Sequence, residues 1–272
     1  MCPLINTYVI IFLITMEILY TIINSAPGVA DWAFIVLCLA SFFTSVVSAS
    51  LGLGGGAMMV AVMASLVPPL AVIPVHAVVQ VSSNTTRALL MWKHIDFTWM
   101  IPFVIGTVIG AVIGGQIVFA IPKHLLQGII GIFVLYTLWG PAVRAIKSSF
   151  ITFVGVGAFA SFATMFVGGT GPLIAPFIKA STTERQMTVA THGAFMFWQH
   201  GIKILIFGFL GFAFGPYVIL MVAMILCGVI GVWVGKRILN RMPEHIFKKG
   251  FNTLLALMAI WLLFEAIRGY FF

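Results

Sequence analysis

Two glycine clusters hold the residues best suited to chemistry in this chain. The first reads SASLGLGGGAMM, Ser48 to Met59, and the second reads TMFVGGTGPLIAP, Thr164 to Pro176. Used as a nucleotide loop, such a string needs a preceding strand and a soluble βαβ unit, and neither is present. In a membrane protein the same glycines break a helix where φ must turn positive, and they let backbones approach closely. Broken backbone at membrane depth is tolerated only where it is buried or faces a water-filled cavity. Each break is expected to open a new helix, near Ala57 and near Pro172, with Pro172 at the first helical position. The first amides of a helix lack internal partners and lie at its positive dipole end. That makes an anion site without any fixed charge. The candidate ligands are the backbone of Gly54, Gly55, Gly56 and Ala57 and of Gly169, Thr170, Gly171, Pro172 and Leu173; Pro172 lends geometry but no N–H. The competing reading is tight packing alone, the usual use of small residues in membrane bundles.

Polar residues follow each cluster: His76, Gln80, Ser82, Ser83, Asn84 and Arg87, then Thr191, His192, Trp198, Gln199, His200 and Lys203. An offset of 115 pairs Gly54–Ala57 with Gly169–Pro172 and Asn84 with Gln199, while an offset of 116 pairs His76 with His192 and Arg87 with Lys203. Each histidine precedes its base by 11 residues, about three turns, so both share one helix face. Polar groups in a bilayer line cavities or bond between helices. Asn84, Thr170 and Gln199 are the expected substrate hydrogen-bonding groups; the alternative is bonding between helices, about 1 kcal/mol each. His76 and His192 are candidates for a coupled proton, against a purely structural role. Arg87 is either a base that snorkels to the interface or a gate for an incoming anion, and Lys203 mirrors it on the other side.

No other chemistry is offered. Cys2, Cys38 and Cys227 are scattered and form no CxxC, so disulfide, zinc and redox-motif readings fall together. No metal, cofactor or catalytic constellation is expected.

The elements that must position these residues follow from composition. Of the 272 residues 62% are apolar and 7% are charged, against roughly 25% charged in a soluble domain. This excludes a soluble enzyme, a disordered chain and, despite the net charge of +8, a nucleic-acid module, which needs a clustered basic face. Apolar runs far beyond ten residues without strict alternation exclude a membrane barrel. The expectation is an all-α polytopic membrane protein. Helices are expected at about 32–51, 57–66, 72–92, 97–121 and 125–139, then at about 150–167, 172–179, 188–207, 217–235 and 251–267. A span needs roughly 20 residues, so 57–66 and 172–179 are too short. Paired short, glycine-interrupted segments point to a transporter binding site.

The chain thus divides into an N-terminal helix and linker, 1–31, a first repeat, 32–140, and a second, 141–272. The N-terminal run, Tyr8 to Ile23, has no preceding Lys or Arg and is interrupted by Glu17; it is read as a retained helix. Lys236, Arg237, Arg241, Lys248 and Lys249 mark one loop as cytoplasmic. Working back, Arg185, Arg144, Lys147 and Lys93 fall on the same side, with Lys123 and Arg268 as exceptions. Five segments per half then give the repeats opposite orientation.

Gly52, Gly54, Gly55 and Gly56 after a helix, answered by the GGTGP of Gly168 to Pro172, and the two-half layout over about 33–267, resemble the TauE/SafE sulfite exporter family, also called the toluene sulfonate uptake permeases. The family pattern usually has a proline where this chain has Ala61, and a frequent glycine where it has Thr170. The resemblance implies transport of sulfur-containing anions such as sulfite, sulfoacetate or other sulfonates; the repeat itself suggests alternating access by rocking of the two halves, with a proton as the expected driving ion. The expected partners are a small anion and the lipid bilayer. The alternatives are a passive anion channel and a non-transporting membrane factor.

Overall fold

A computed structural model of the chain describes residues 15–17, 20–51, 54–118, 121–141, 143–238 and 244–271. Cys2, Gly52, Arg241 and much of the first apolar run lie outside these; 15–17 and 20–23 are helical. The described residues form no strand. In chain order the long helices are α1 (Asp31–Leu51), α2 (Gly55–Leu66), α3 (Pro69–Leu90), α4 (Met100–Val118), α5 (Lys123–Trp139), α6 (Phe150–Val167), α7 (Gly171–Ser181), α8 (Arg185–Phe209), α9 (Val218–Ile238) and α10 (Glu244–Phe271). Two 3-10 turns, Trp92–His94 and Gly215–Tyr217, join α3 to α4 and α8 to α9.

Among the described residues, four helical stretches are long and apolar enough to cross a bilayer: Asp31–Leu51, Met100–Val118, Phe150–Val167 and Gly215–Ile238. They are the first and fourth helices of each set of five. The chain is an all-helical polytopic membrane protein. α2 and α7 have 12 and 11 residues, which at about 1.5 Å per residue is well short of a bilayer. Both start earlier than expected, at Gly55 and Gly171, because the carbonyls just before them, of Gly54 and Thr170, already accept from the amides of Met58 and Leu173. α3 ends at Leu90, short of the expected 92, and α10 reaches from Glu244 to Phe271, past both expected ends.

Packing is paired across the halves. α4 lies along α6 and α1 along α9, α3 crosses α8, and α5 runs against α10. The two fourth helices use the same device. One face of α4 turns Ile101, Ile105, Ile109 and Ile113 outward, while Gly106, Gly110 and Gly114 meet α6. A Cβ on Gly110 would stand 1.9 Å from the Ala158 carbonyl, and one on Gly106 2.0 Å from that of Val154. On α9, a Cβ on Gly231 would stand 2.3 Å from the Phe42 carbonyl of α1. Lipid gives helices no hydrophobic reason to associate, so close backbone contact supplies the attraction. Gly110→Ala and Gly231→Ala are therefore expected to cost about 1–3 kcal/mol each, read as a lower melting temperature in detergent. Gly155→Ala, which meets nothing within 4 Å, is the matched control and should not lower it.

The helix boundaries share one register. The ends of α1 and α6 (Leu51, Val167), the starts of α2 and α7 (Gly55, Gly171) and the starts of α3 and α8 (Pro69, Arg185) are each 116 residues apart. The 115 spacing read from the glycine strings is corrected to 116. Gly55 corresponds to Gly171, and the counterpart of Asn84 is His200 rather than Gln199.

Candidate functional site

The two breaks meet. Gly54 has φ +96° and Gly168 has φ +75°, a left-handed backbone that glycine adopts without strain. A Cβ on Gly169 would stand 2.8 Å from the carbonyl carbon of Gly56 and 2.9 Å from the amide nitrogen of Ala57. The backbones of the two interruptions are thus in contact. Between them lies a small chamber lined by Ser48, Gly54, Gly56, Ala57, Gln80, Asn84 and Arg87 from one half and Gly169, Gly171, Pro172, His192, Met196 and His200 from the other. Its volume is ≈ 20 Å³, about one water-sized space. Arg87 lines it and no carboxylate does.

The third helix of each half builds the wall. His76, Gln80, Asn84 and Arg87 on α3 follow one stripe, and His192, Met196, His200 and Lys203 follow the matching stripe on α8. Each leading histidine reaches its own half's broken helix. His76 Nε2 lies 3.0 Å from the Gly56 carbonyl and His192 Nε2 lies 3.3 Å from that of Gly171. A carbonyl only accepts, so both rings donate through Nε2. His192 Nδ1 then accepts from Arg87 Nη2 at 3.2 Å, since a guanidinium has no acceptor.

Behind the chamber the halves also correspond. Ser45 Oγ and Ser83 Oγ are 3.0 Å apart, and Gln199 Nε2 donates to Ser161 Oγ at 3.1 Å. Both residues of the second pair lie 116 positions after those of the first. Arg87 Nη1 donates to the Ser48 carbonyl at 2.6 Å, and Lys203 Nζ donates to Thr164 Oγ1 at 3.2 Å and the Gly168 carbonyl at 2.8 Å. Each base thus holds the C-terminal end of its own half's first helix, the end at which positive charge is favourable.

Several expected roles change with these positions. Arg87 and Lys203 have 2% and 0% of their surface exposed; neither snorkels, because carbonyl and hydroxyl partners hold both inside. The Leu173 amide donates to the Thr170 carbonyl at 2.9 Å, and Leu173 does not line the chamber, so it offers no N–H to an anion there. The Thr170 hydroxyl bonds the Ala160 carbonyl and Gln199 Oε1, both at 3.1 Å. Thr170 and Gln199 therefore brace the second break from behind. Gly55 packs on the Thr44 carbonyl and Ser48 Oγ, and with His76 and Lys203 it stands outside the lining. Gly54, Gly56, Ala57, Asn84, Arg87, Gly169, Gly171, Pro172 and His192 are brought together. His200, Met196, Gln80 and Ser48 were not assigned to the site from sequence; carrying the 116 spacing from Asn84 finds the first.

The arrangement brings two helix starts and an arginine to one small space, a setting that favours a negatively charged guest. No individual curated protein and no solved structure matches the chain. The family model described as Sulfite exporter TauE/SafE matches residues 37–262, a span that includes both breaks, both third helices and every residue of the chamber lining. The chain belongs to the TauE/SafE sulfite exporter family.

Proposed function

We propose that the protein is a secondary transporter of small sulfur-containing oxyanions, such as sulfite, sulfoacetate or another organosulfonate, in the cytoplasmic membrane. The anion sits in the chamber between the breaks. Gly56 and Ala57 on α2 and Gly171 on α7 offer it first-turn amides, Arg87 offers charge, and Asn84 adds a polar side chain. One observation carries this reading: the two interruptions touch, and the chamber between them is lined by Arg87 without a carboxylate. Membership of a sulfite exporter family supports the substrate class.

Alternating access by rocking of two inverted halves is the mechanism we favour. The paired helix packing and the shared register of boundaries support it. A channel needs a continuous pore, whereas the space between the breaks is a chamber of ≈ 20 Å³. An oxyanion needs more room, so binding must widen it. Gln80 and Met196 are flexible enough to withdraw; the Cβ position of Gly56 lies only 2.8 Å from Gln80 Nε2.

The test is sulfite and sulfoacetate flux into or out of proteoliposomes. Gly56→Leu and Gly171→Leu place a bulky side chain in the chamber and are expected to stop flux while the protein stays folded. Wild-type flux in both would remove the site. Counterflow should be seen; turnover far above carrier rates without counterflow would indicate a channel.

A further inference from the structure

The chamber contains a buried base that neither the glycine breaks nor the Arg87 network uses. His200 lines the space between the halves with 2% of its surface exposed, and its Nδ1 is buried with no hydrogen-bond partner. Of the other two core histidines, His192 is committed, and His76, whose Nδ1 is likewise buried without a partner, stands outside the chamber lining. His192 faces a guanidinium through Nδ1 and a carbonyl through Nε2, so a second proton on it would point at Arg87. His76 bonds the Gly56 carbonyl and stands behind the lining. Its ring lies edge-to-face on His200, with centroids 5.6 Å apart.

We propose that His200 is a proton-binding site filled together with the anion, so that the protein moves one proton and one anion in the same direction. This rests on the anion reading above. The titratable groups around His200 are Lys203 and His192 on its own helix and His76 and Arg87 on α3, and all of them are bases. With no anion present, an imidazolium here would be an additional cation among cations. An anion in the chamber offsets that repulsion and gives the new N–H an acceptor. The proton comes from water on the side open to the chamber and leaves with the anion on the other; no bond in the anion changes. Coupling of this kind is reciprocal: the anion tightens proton binding and the proton tightens anion binding by the same factor.

Calorimetric titration of the purified full chain tests it. Methanesulfonate, sulfoacetate and sulfite are titrated in buffers of different ionisation enthalpy, with the titration of sulfite itself subtracted. About one proton is expected to be taken up per anion bound, with affinity rising as pH falls from about 8 to about 6. His200→Gln should bind without uptake, whereas His76→Gln and His192→Gln should keep the uptake whatever they do to affinity. Binding without proton uptake by the wild-type protein, or uptake that survives His200→Gln, overturns the proposal and leaves the anion site standing. If none of the three anions binds at any pH, the anion reading itself fails. Should His200→Gln not fold, His200→Asn takes its place in the same comparison, and wild-type binding without uptake still overturns the proposal.

Discussion

Gly169→Ala is expected to cut transport sharply, although it adds a single methyl group. The new Cβ would meet only backbone: the Gly56 carbonyl carbon at 2.8 Å, the Ala57 nitrogen at 2.9 Å and the Gly56 oxygen at 3.0 Å. Nothing at that point is a flexible side-chain end, so relief requires the two breaks to move apart. Overpacking of this kind costs about 1–3 kcal/mol, and each 1.4 kcal/mol lost from substrate or transition-state binding is about tenfold in rate. Sulfite flux in proteoliposomes should fall by about five- to 150-fold on that scale, with a modest fall in melting temperature. Gly56→Ala makes the useful comparison. Its Cβ would meet the end of the Gln80 side chain, which can swing aside, so its effect should be much smaller. Equal, wild-type flux in both variants would show that contact between the breaks does not matter to the site.

What could be read from sequence, and what could not, divides along physical lines. The glycine strings and the long apolar runs marked both breaks and every long helix, because helix period and helix length are local properties. Register was harder. Aligning Gly54–Gly55–Gly56 with Gly169–Thr170–Gly171 matches letters, yet helices α2 and α7 begin at Gly55 and Gly171. A slip of one residue turns a helix by about 100°, enough to exchange a chamber-facing residue for one behind the wall. That slip selected Gln199, which holds Ser161 and Thr170, and passed over His200, which lines the chamber. The fates of Arg87 and Lys203 were also illegible. Snorkelling depends on whether a carbonyl lies nearer than the interface, and the carbonyls in question, of Ser48 and Gly168, belong to another helix end and a loop that only folding brings near.

Arg87 and Lys203 are counterparts in position but not in use, and that difference predicts opposite results. Arg87 reaches the chamber and spans the halves, bonding the Ser48 carbonyl and the side chain of Asn84 on one side and His192 on the other. Lys203 stays behind the second break on Thr164 and Gly168. A guanidinium fork holds several partners at once, and an ammonium is a point charge on a flexible stem. Arg87→Lys should therefore fold but bind sulfite or sulfoacetate about tenfold more weakly, equivalent to about 1.4 kcal/mol, even though the net charge is unchanged. Arg87→Gln, which removes the charge as well, should show no measurable binding by thermal shift. Lys203→Met should leave affinity far closer to wild type, because the Gly168 carbonyl still accepts from the Thr164 hydroxyl at 2.8 Å and the chamber lining is untouched. A stronger loss of binding in Lys203→Met than in Arg87→Lys would place the anion on the wrong side of the glycine break and require the site to be redrawn around Gly168. The ordering also bears on transport. Arg87 joins the halves through His192, so an anion that draws the guanidinium into the chamber weakens a hydrogen bond between α3 and α8. Substrate binding and release of the two halves would then be the same event, which is what a carrier needs and a channel does not.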